Sequence, residues 1–307
     1  MKSDLIRQRE SIRAIHEKYD YWNRVPHRGL FINGRPAITQ IDPTKIGEYV
    51  VMTVRDPLAA YDRDPAEVIA SMLEDSELVG KSGMFTTYTG QFKGARISVV
   101  SGGSGSPEAE LALNDLMEFT DASAFVRVGS SGAISEKIKV GDCVISTGVH
   151  RDEATSAAYI DPGYPAYCHY ELVTAFVQAA ESLGIPYHLG VTVSVDSDFV
   201  GNGRPSVGGY LQPRNIEKLA TFNRAGILNS DREASIIVTM CNLFERRGGA
   251  VFSVTDNIIS GEKFVAGEGT DNSIRIVLEG FSVLKKLDDS KRAAGKQNWF
   301  PGIFQSR

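Results

Sequence analysis

Apolar residues recur along this chain at two spacings, and the switches between them predict its elements. Short β-branched and aromatic runs at Tyr49–Val54 and Ala124–Val128 read as buried strands, as do Val140–Gly148, His188–Val195 and 249–255. Thr86–Gly90 and Ala95–Val100 read as a hairpin. Helical spacing predicts helices over 65–74 (Val68, Ile69, Leu73), 108–119, 171–183, 231–246 (Ile236, Ile237, Met240, Phe244) and 272–287. Pro107 suits the first turn of the second of these. Residues 3–20 form a polar helical pattern with only Leu5, Ile12 and Ile15 apolar, and 21–42 are an irregular entry. Strands alternating with helices argue for an α/β fold with helices packed on the faces of a sheet. Neither an internal repeat nor an interdomain linker is visible. The chain divides into an N-terminal helical extension (1–22), one main domain (23–288) and a tail (289–307) in which Trp299 and Phe300 are candidate docking groups.

Composition narrows the function classes. The 307 residues suffice for a large core, and 42% hydrophobic with 23% charged residues is ordinary for a globular chain. A net charge of -5 supplies no basic field for nucleic acid. Cys143, Cys168 and Cys241 lack metal spacing and fit a reducing compartment. The early charges of Met1–Leu5 do not suit a signal peptide, and no run approaches the roughly 20 apolar residues of a membrane span. The expectation is a soluble, cytoplasmic protein.

Four segments could carry chemistry, each following a strand or opening a helix, where ligands of α/β sheets collect. Arg127-Val128-Gly129-Ser130-Ser131-Gly132 joins a fixed cation to small and hydroxyl residues, which suits an anion such as phosphate. The competing structural reading is a strand-to-turn connection whose arginine makes an ion pair. Gly102–Pro107 would let a substrate lie against backbone, or is a flexible turn. In Asp198–Arg204, Asn202 and Arg204 offer an amide and a guanidinium that match the edge of a nucleobase, or a solvated loop. Ser230 and Glu233 form an S-x-x-E capping box before a helix; alternatively Glu233 enters a cleft and accepts from a vicinal diol. Asp256, closing a strand, is a lone candidate acid or a turn residue.

In order along the chain, these pieces resemble the nucleoside phosphorylase family that includes uridine phosphorylases and hexameric purine nucleoside phosphorylases. Arg127-Val-Gly-Ser-Ser-Gly-Ala matches the family's phosphate loop, Arg151-Asp152-Glu153-Ala154-Thr155-Ser156 its R-D-E-G-T-S segment, and Asp231-Arg232-Glu233-Ala234 its E-M-E-(S/A) segment. The resemblance spans about His27 to Leu287 and implies a single α/β domain with a mixed, partly barrel-like central sheet flanked by helices. It implies reversible phosphorolysis of uridine or a related nucleoside to free base and ribose 1-phosphate, a pentosyltransferase of pyrimidine salvage. Arg127, Glu233 and Arg204 would be catalytic. Arg127 and Ser130 would hold phosphate, Glu233 and Arg232 the ribose with His27 from a neighbouring subunit, and Asn202, Arg204 and Asp256 the base. Inorganic phosphate would be co-substrate, with no metal or organic cofactor, and a dimer-built oligomer, up to a hexamer, is expected.

Three departures stand out. Arg55 replaces the glycine of the family's G-D-P-x-R turn, Ala59 its arginine, and Gly83 stands where another arginine is expected. Phosphate binding would then draw on Arg55, Arg63 or Lys81, or be weakened. Val254-Thr255-Asp256-Asn257-Ile258 looks like the purine enzymes' motif. The alternatives are a purine nucleoside phosphorylase, a phosphate-independent nucleosidase, and a catalytically silent nucleoside-binding protein.

Overall fold

The computed structural model describes residues 31–56 and 63–303; the helical pattern over 3–20, His27, Pro57 and Ala59 lie outside them. A small pair, β1 (Phe31–Ile32) and β2 (Arg35–Pro36), leads to β3 (Tyr49–Val54). Helix α1 (Pro65–Ala70) starts on the Asp64 carboxylate, which accepts from the Ala66 amide. Then come β4 (Glu74–Lys81), β5 (Thr86–Phe92), β6 (Ala95–Gly102), α2 (Ser106–Phe119), β7 (Ala124–Ala133) and β8 (Cys143–Asp152). Helix α3 (Ala154–Tyr159), β9 (Ala166–Tyr167), α4 (Tyr170–Leu183), β10 (Tyr187–Val195), α5 (Pro213–Arg224) and β11 (Ile227–Asp231) follow. The last elements are α6 (Ala234–Leu243), β12 (Arg247–Asn257) and α7 (Thr270–Ala294).

One ten-stranded mixed sheet runs β11-β10-β8-β12-β7-β3-β6-β5-β4, with β9 on β8. Because β11 also pairs with β7, strands β7, β12, β8, β10 and β11 close into a ring. Period-two alternation sorts the core into two layers. Val51, Val126 and Val128 face Phe176 of α4 and Phe281 of α7, while Val50, Met52 and Phe125 face Leu113 and Leu116 of α2 and Ile236 of α6.

Several expectations need correction. The segment 129–132 is no loop: β7 continues through it, paired with β12 from Gly129↔Phe252 to Ala133↔Asn257. On its other side, pairing with β3 ends at Arg127 and pairing with β11 starts at Gly132, so the ladder parts at the small residues. Residues 227–231 are a strand, and the helix expected from 231 begins at Ala234. Strand β4 was not foreseen because it is a polar edge strand with only Val79 and Gly80 buried. Helix α5 likewise buries only Phe222. The last helix passes its expected end at Leu287 and stops at Ala294 before Gly295, whose φ is 63°.

Candidate active site

The parting of the ladder opens a cavity of about 570 Å³. Its floor comes from β7 (Arg127, Ser130, Ser131, Gly132) and the end of β12 (Thr255, Asp256). One wall is the segment after β10, with Asp198, Phe199, Asn202 and Arg204; another is Ser230–Glu233; Asp56, Ser104 and Phe264 complete it. A smaller cavity of about 170 Å³ lies alongside, sharing Asp56, Arg127, Ser130 and Phe264.

Each guanidinium in the cavity is matched to a carboxylate. Arg127, 3% exposed, donates from Nε to Glu233 Oε2 at 2.9 Å, with Nη2 in ion-pair contact with the same oxygen at 2.9 Å, and from Nη1 to the Val128 carbonyl. Arg204 Nη2 pairs with Asp256, and its Nη1 donates to the Asp198 carbonyl at 3.2 Å. Arg232 Nη1 meets Asp198 Oδ2 at 3.0 Å, and Nη2 donates to the Asp196 carbonyl at 3.0 Å. Thus Arg127 lines the cavity and at the same time makes the ion pair of the structural reading. Two of its five N–H groups are committed to hydrogen bonds, leaving one proton on Nη1 and both on Nη2. Gly129 makes room for this, since a Cβ there would lie 2.6 Å from Arg127 Nη2.

The expected capping box is not formed. Glu233 caps nothing with its side chain; its Oε1 accepts from the Gly105 amide at 2.6 Å and Ser104 Oγ at 3.2 Å. Asp231 caps α6 instead, its Oδ2 accepting from the amides of Glu233 (3.0 Å) and Ala234 (2.8 Å). Burial, with the Glu233 charge second, pushes the Asp231 carboxyl up to about 6. Burial also raises the Asp198 carboxyl, against the pull of Arg232. Ser230 Oγ donates to Asn202 Oδ1 at 2.6 Å, which fixes the amide with its NH2 as a donor.

Arg55 does not line the cavity. Its guanidinium is held by Asp64 (Nη2 2.5 Å, Nε 3.0 Å), Thr86 Oγ1 and the Met84 carbonyl. Arg63, half exposed, pairs with Glu67, and Lys81 lies on edge strand β4; neither lines these cavities. Ser130 Oγ donates to Asp56 Oδ2 at 2.6 Å. The sequence reading missed Asp56, Asp231 and Phe264 as cavity groups; the first two stand beside residues it did single out. Among the described residues, no three His, Cys, Asp or Glu side chains are grouped to hold a metal ion, and no helix is long and apolar enough to cross a membrane.

Comparison with known proteins adds to this geometry. A family profile described as "Phosphorylase superfamily" matches residues 58–282. The chain is 36% identical to a uridine phosphorylase of Thermococcus kodakarensis over 78% of its own length and 86% of the relative's. It is 30% identical to a uridine phosphorylase of Escherichia coli over 64% of its length and 78% of the relative's. A guanosine phosphorylase of Halorubrum lacusprofundi is 28% identical over 74% and 93% of the two chains. The chain therefore belongs to the phosphorylase superfamily.

Proposed function

We propose that this member of the phosphorylase superfamily is a nucleoside phosphorylase that cleaves uridine, or a closely related nucleoside, with inorganic phosphate to free base and ribose 1-phosphate. The observation that carries the reading is convergence: Arg127 and Ser130, Glu233, and the Asn202–Arg204–Asp256 group come from separate elements yet line one cavity. Similarity to uridine phosphorylases at up to 36% identity supports the base assignment.

Breaking the glycosidic bond builds positive charge on the sugar and negative charge on the departing base. The remaining η protons of Arg127 and the Ser130 hydroxyl would hold phosphate beside the anomeric carbon, where its charge favours the cationic sugar. Glu233 would anchor the ribose hydroxyls. Arg204 and the NH2 of Asn202 would donate to the base oxygens as negative charge collects there. The reading needs phosphate as second substrate and no organic cofactor. With it go a cytoplasmic role in pyrimidine salvage and a dimer-built assembly in which a neighbour completes the sugar end.

One feature favours a second substrate class. Asp256 offers an acceptor beside the Arg204 donors, as a purine carrying a ring N–H would require. Uracil release from uridine, measured with and without phosphate and with inosine in parallel, tests both. Phosphate-dependent uracil release is expected. Faster inosine cleavage would reassign the base, release without phosphate would make the chain a nucleosidase, and inertness on every nucleoside would remove the enzymatic reading.

A further inference from the structure

We propose that Asp56 selects the ionic form of the second substrate: the seat beside Arg127 takes a tetrahedral oxyanion that still carries a proton, monoanionic phosphate, ahead of a fully ionised dianion. The proposal rests on the phosphorolysis reading and adds to it a specificity-determining residue and the form of the anion.

A serine hydroxyl has one proton to donate and two lone pairs with which to accept. In Ser130 that proton is engaged: Oγ lies 2.6 Å from Asp56 Oδ2, and an ionised carboxylate only accepts. A ligand oxygen arriving at Ser130 Oγ therefore meets lone pairs. Asp56 lines the same two cavities as Ser130, and its carboxylate, with about four lone-pair sites, is not exhausted by one bond. An oxyanion bearing an O–H group donates to one of these acceptors while its other oxygens accept the η protons of Arg127. An oxyanion without a proton sets its lone pairs against theirs. Turning the Ser130 hydroxyl towards such an ion gives no relief, because Asp56 then loses this donor and stands beside the incoming charge.

The surrounding charges favour the same choice. Arg127 is matched to Glu233, Arg204 to Asp256 and Arg232 to Asp198, and Asp231 adds a further carboxylate behind Arg127 at 3.9 Å. Arg55, next to Asp56 in the chain, is held by Asp64 at the start of α1. The walls that α1 and α7 give the smaller cavity, among them Val68, Ile69, Thr270 and Ser273, bring no charge among the described lining residues. No cation on this side is left to offset a second negative charge on the ligand, whereas a single charge with a proton to donate satisfies both Arg127 and Asp56.

Calorimetric Kd values for phosphate and sulfate between about pH 6 and pH 8 test this on the parent protein, on Asp56→Asn and on Asp198→Asn. Sulfate has the shape of phosphate but holds no proton in this range. The parent is expected to bind phosphate roughly tenfold more tightly than sulfate at the acid end, and to lose most of that advantage at the alkaline end, where phosphate gives up its second proton. Asp56→Asn, whose amide can donate to a dianion, is expected to bring the two ions within about threefold of each other throughout. Asp198→Asn removes an equal charge without touching Ser130 and is expected to keep the parent's preference. Equal loss of preference in the two variants would reduce the effect to net charge and overturn the role of Asp56. A phosphate-to-sulfate ratio that does not change with pH in the parent, or a parent that does not bind phosphate, overturns the proposal with no variant needed. Should uridine not be cleaved, the functional reading fails, while the Kd ratio still decides whether the seat requires a proton on its anion.

Discussion

At the scale of single residues, the Arg127–Glu233 pair ties the cavity to the stability of the fold. Both side chains are almost wholly buried, so removing one charge strands the other. Arg127→Met is therefore expected to destabilise the fold by about 3–5 kcal/mol as well as abolish activity. Arg127→Met combined with Glu233→Gln should recover part of that loss, since the double variant leaves no unmatched charge. Urea unfolding of the two single variants and the double variant measures this; strict additivity would mean the pair is not coupled. The sequence placed the cation at the cavity but could not reveal its partner, because Glu233 lies 106 residues away and meets it only through the fold. Arg55 shows the converse. It stands beside the resembling turn in sequence, yet Asp64 and Thr86 take its guanidinium.

Among elements, the junction of β11 and α6 is where one-dimensional reading and structure part. Ser230-x-x-Glu233 has the letters of a capping box, but Ser230 ends in a strand and aims at Asn202, leaving the cap to Asp231. Strand β11 was illegible because its apolar residues are only Ile227 and Leu228, followed by buried polar Asn229, Ser230 and Asp231. Ser230 and Asp231 line the cavity and Asn229 accepts from Thr192, so these positions are polar although buried. Strand β3 and the first half of β7, in contrast, were legible from their β-branched and aromatic residues. Burying Asp231 has a pH signature. Its folded pKa of about 6 exceeds the ordinary 3.8, so the folded chain holds this proton more tightly than the unfolded chain. Its contribution to stability is accordingly full below about pH 4 and is lost as pH rises through 6. Asp231→Asn should flatten that part of the stability profile, a change visible as a smaller difference in Tm between pH 4.5 and pH 7.

For the molecule as a whole, charges at the far end of β12 tie the periphery together. Arg247 bridges Glu171 of α4 and Asp288 of α7, and Lys291 joins the same two carboxylates. The segment after α7 docks here: the Trp299 amide donates to Glu171 at 3.0 Å, and its ring packs against the larger core layer. Trp299 was legible as a docking group, whereas its partners were not. This contact is separated from the cavity by the length of β12, from Arg247 to Asp256. Trp299→Ala should thus lower stability by about 1–2 kcal/mol while leaving kcat and KM for uridine unchanged. A kinetic change at constant stability would show that the two ends communicate.

The carboxylates around the cavity carry a consequence for ligand capture. Among its described lining residues, Asp56, Asp198, Asp231, Glu233 and Asp256 outnumber the three arginines. On the phosphorolysis reading, a bound oxyanion would add to this local repulsion and favour the protonated forms of Asp198 and Asp231, which burial already favours. Capture of the anion would then draw hydrogen ions from the medium.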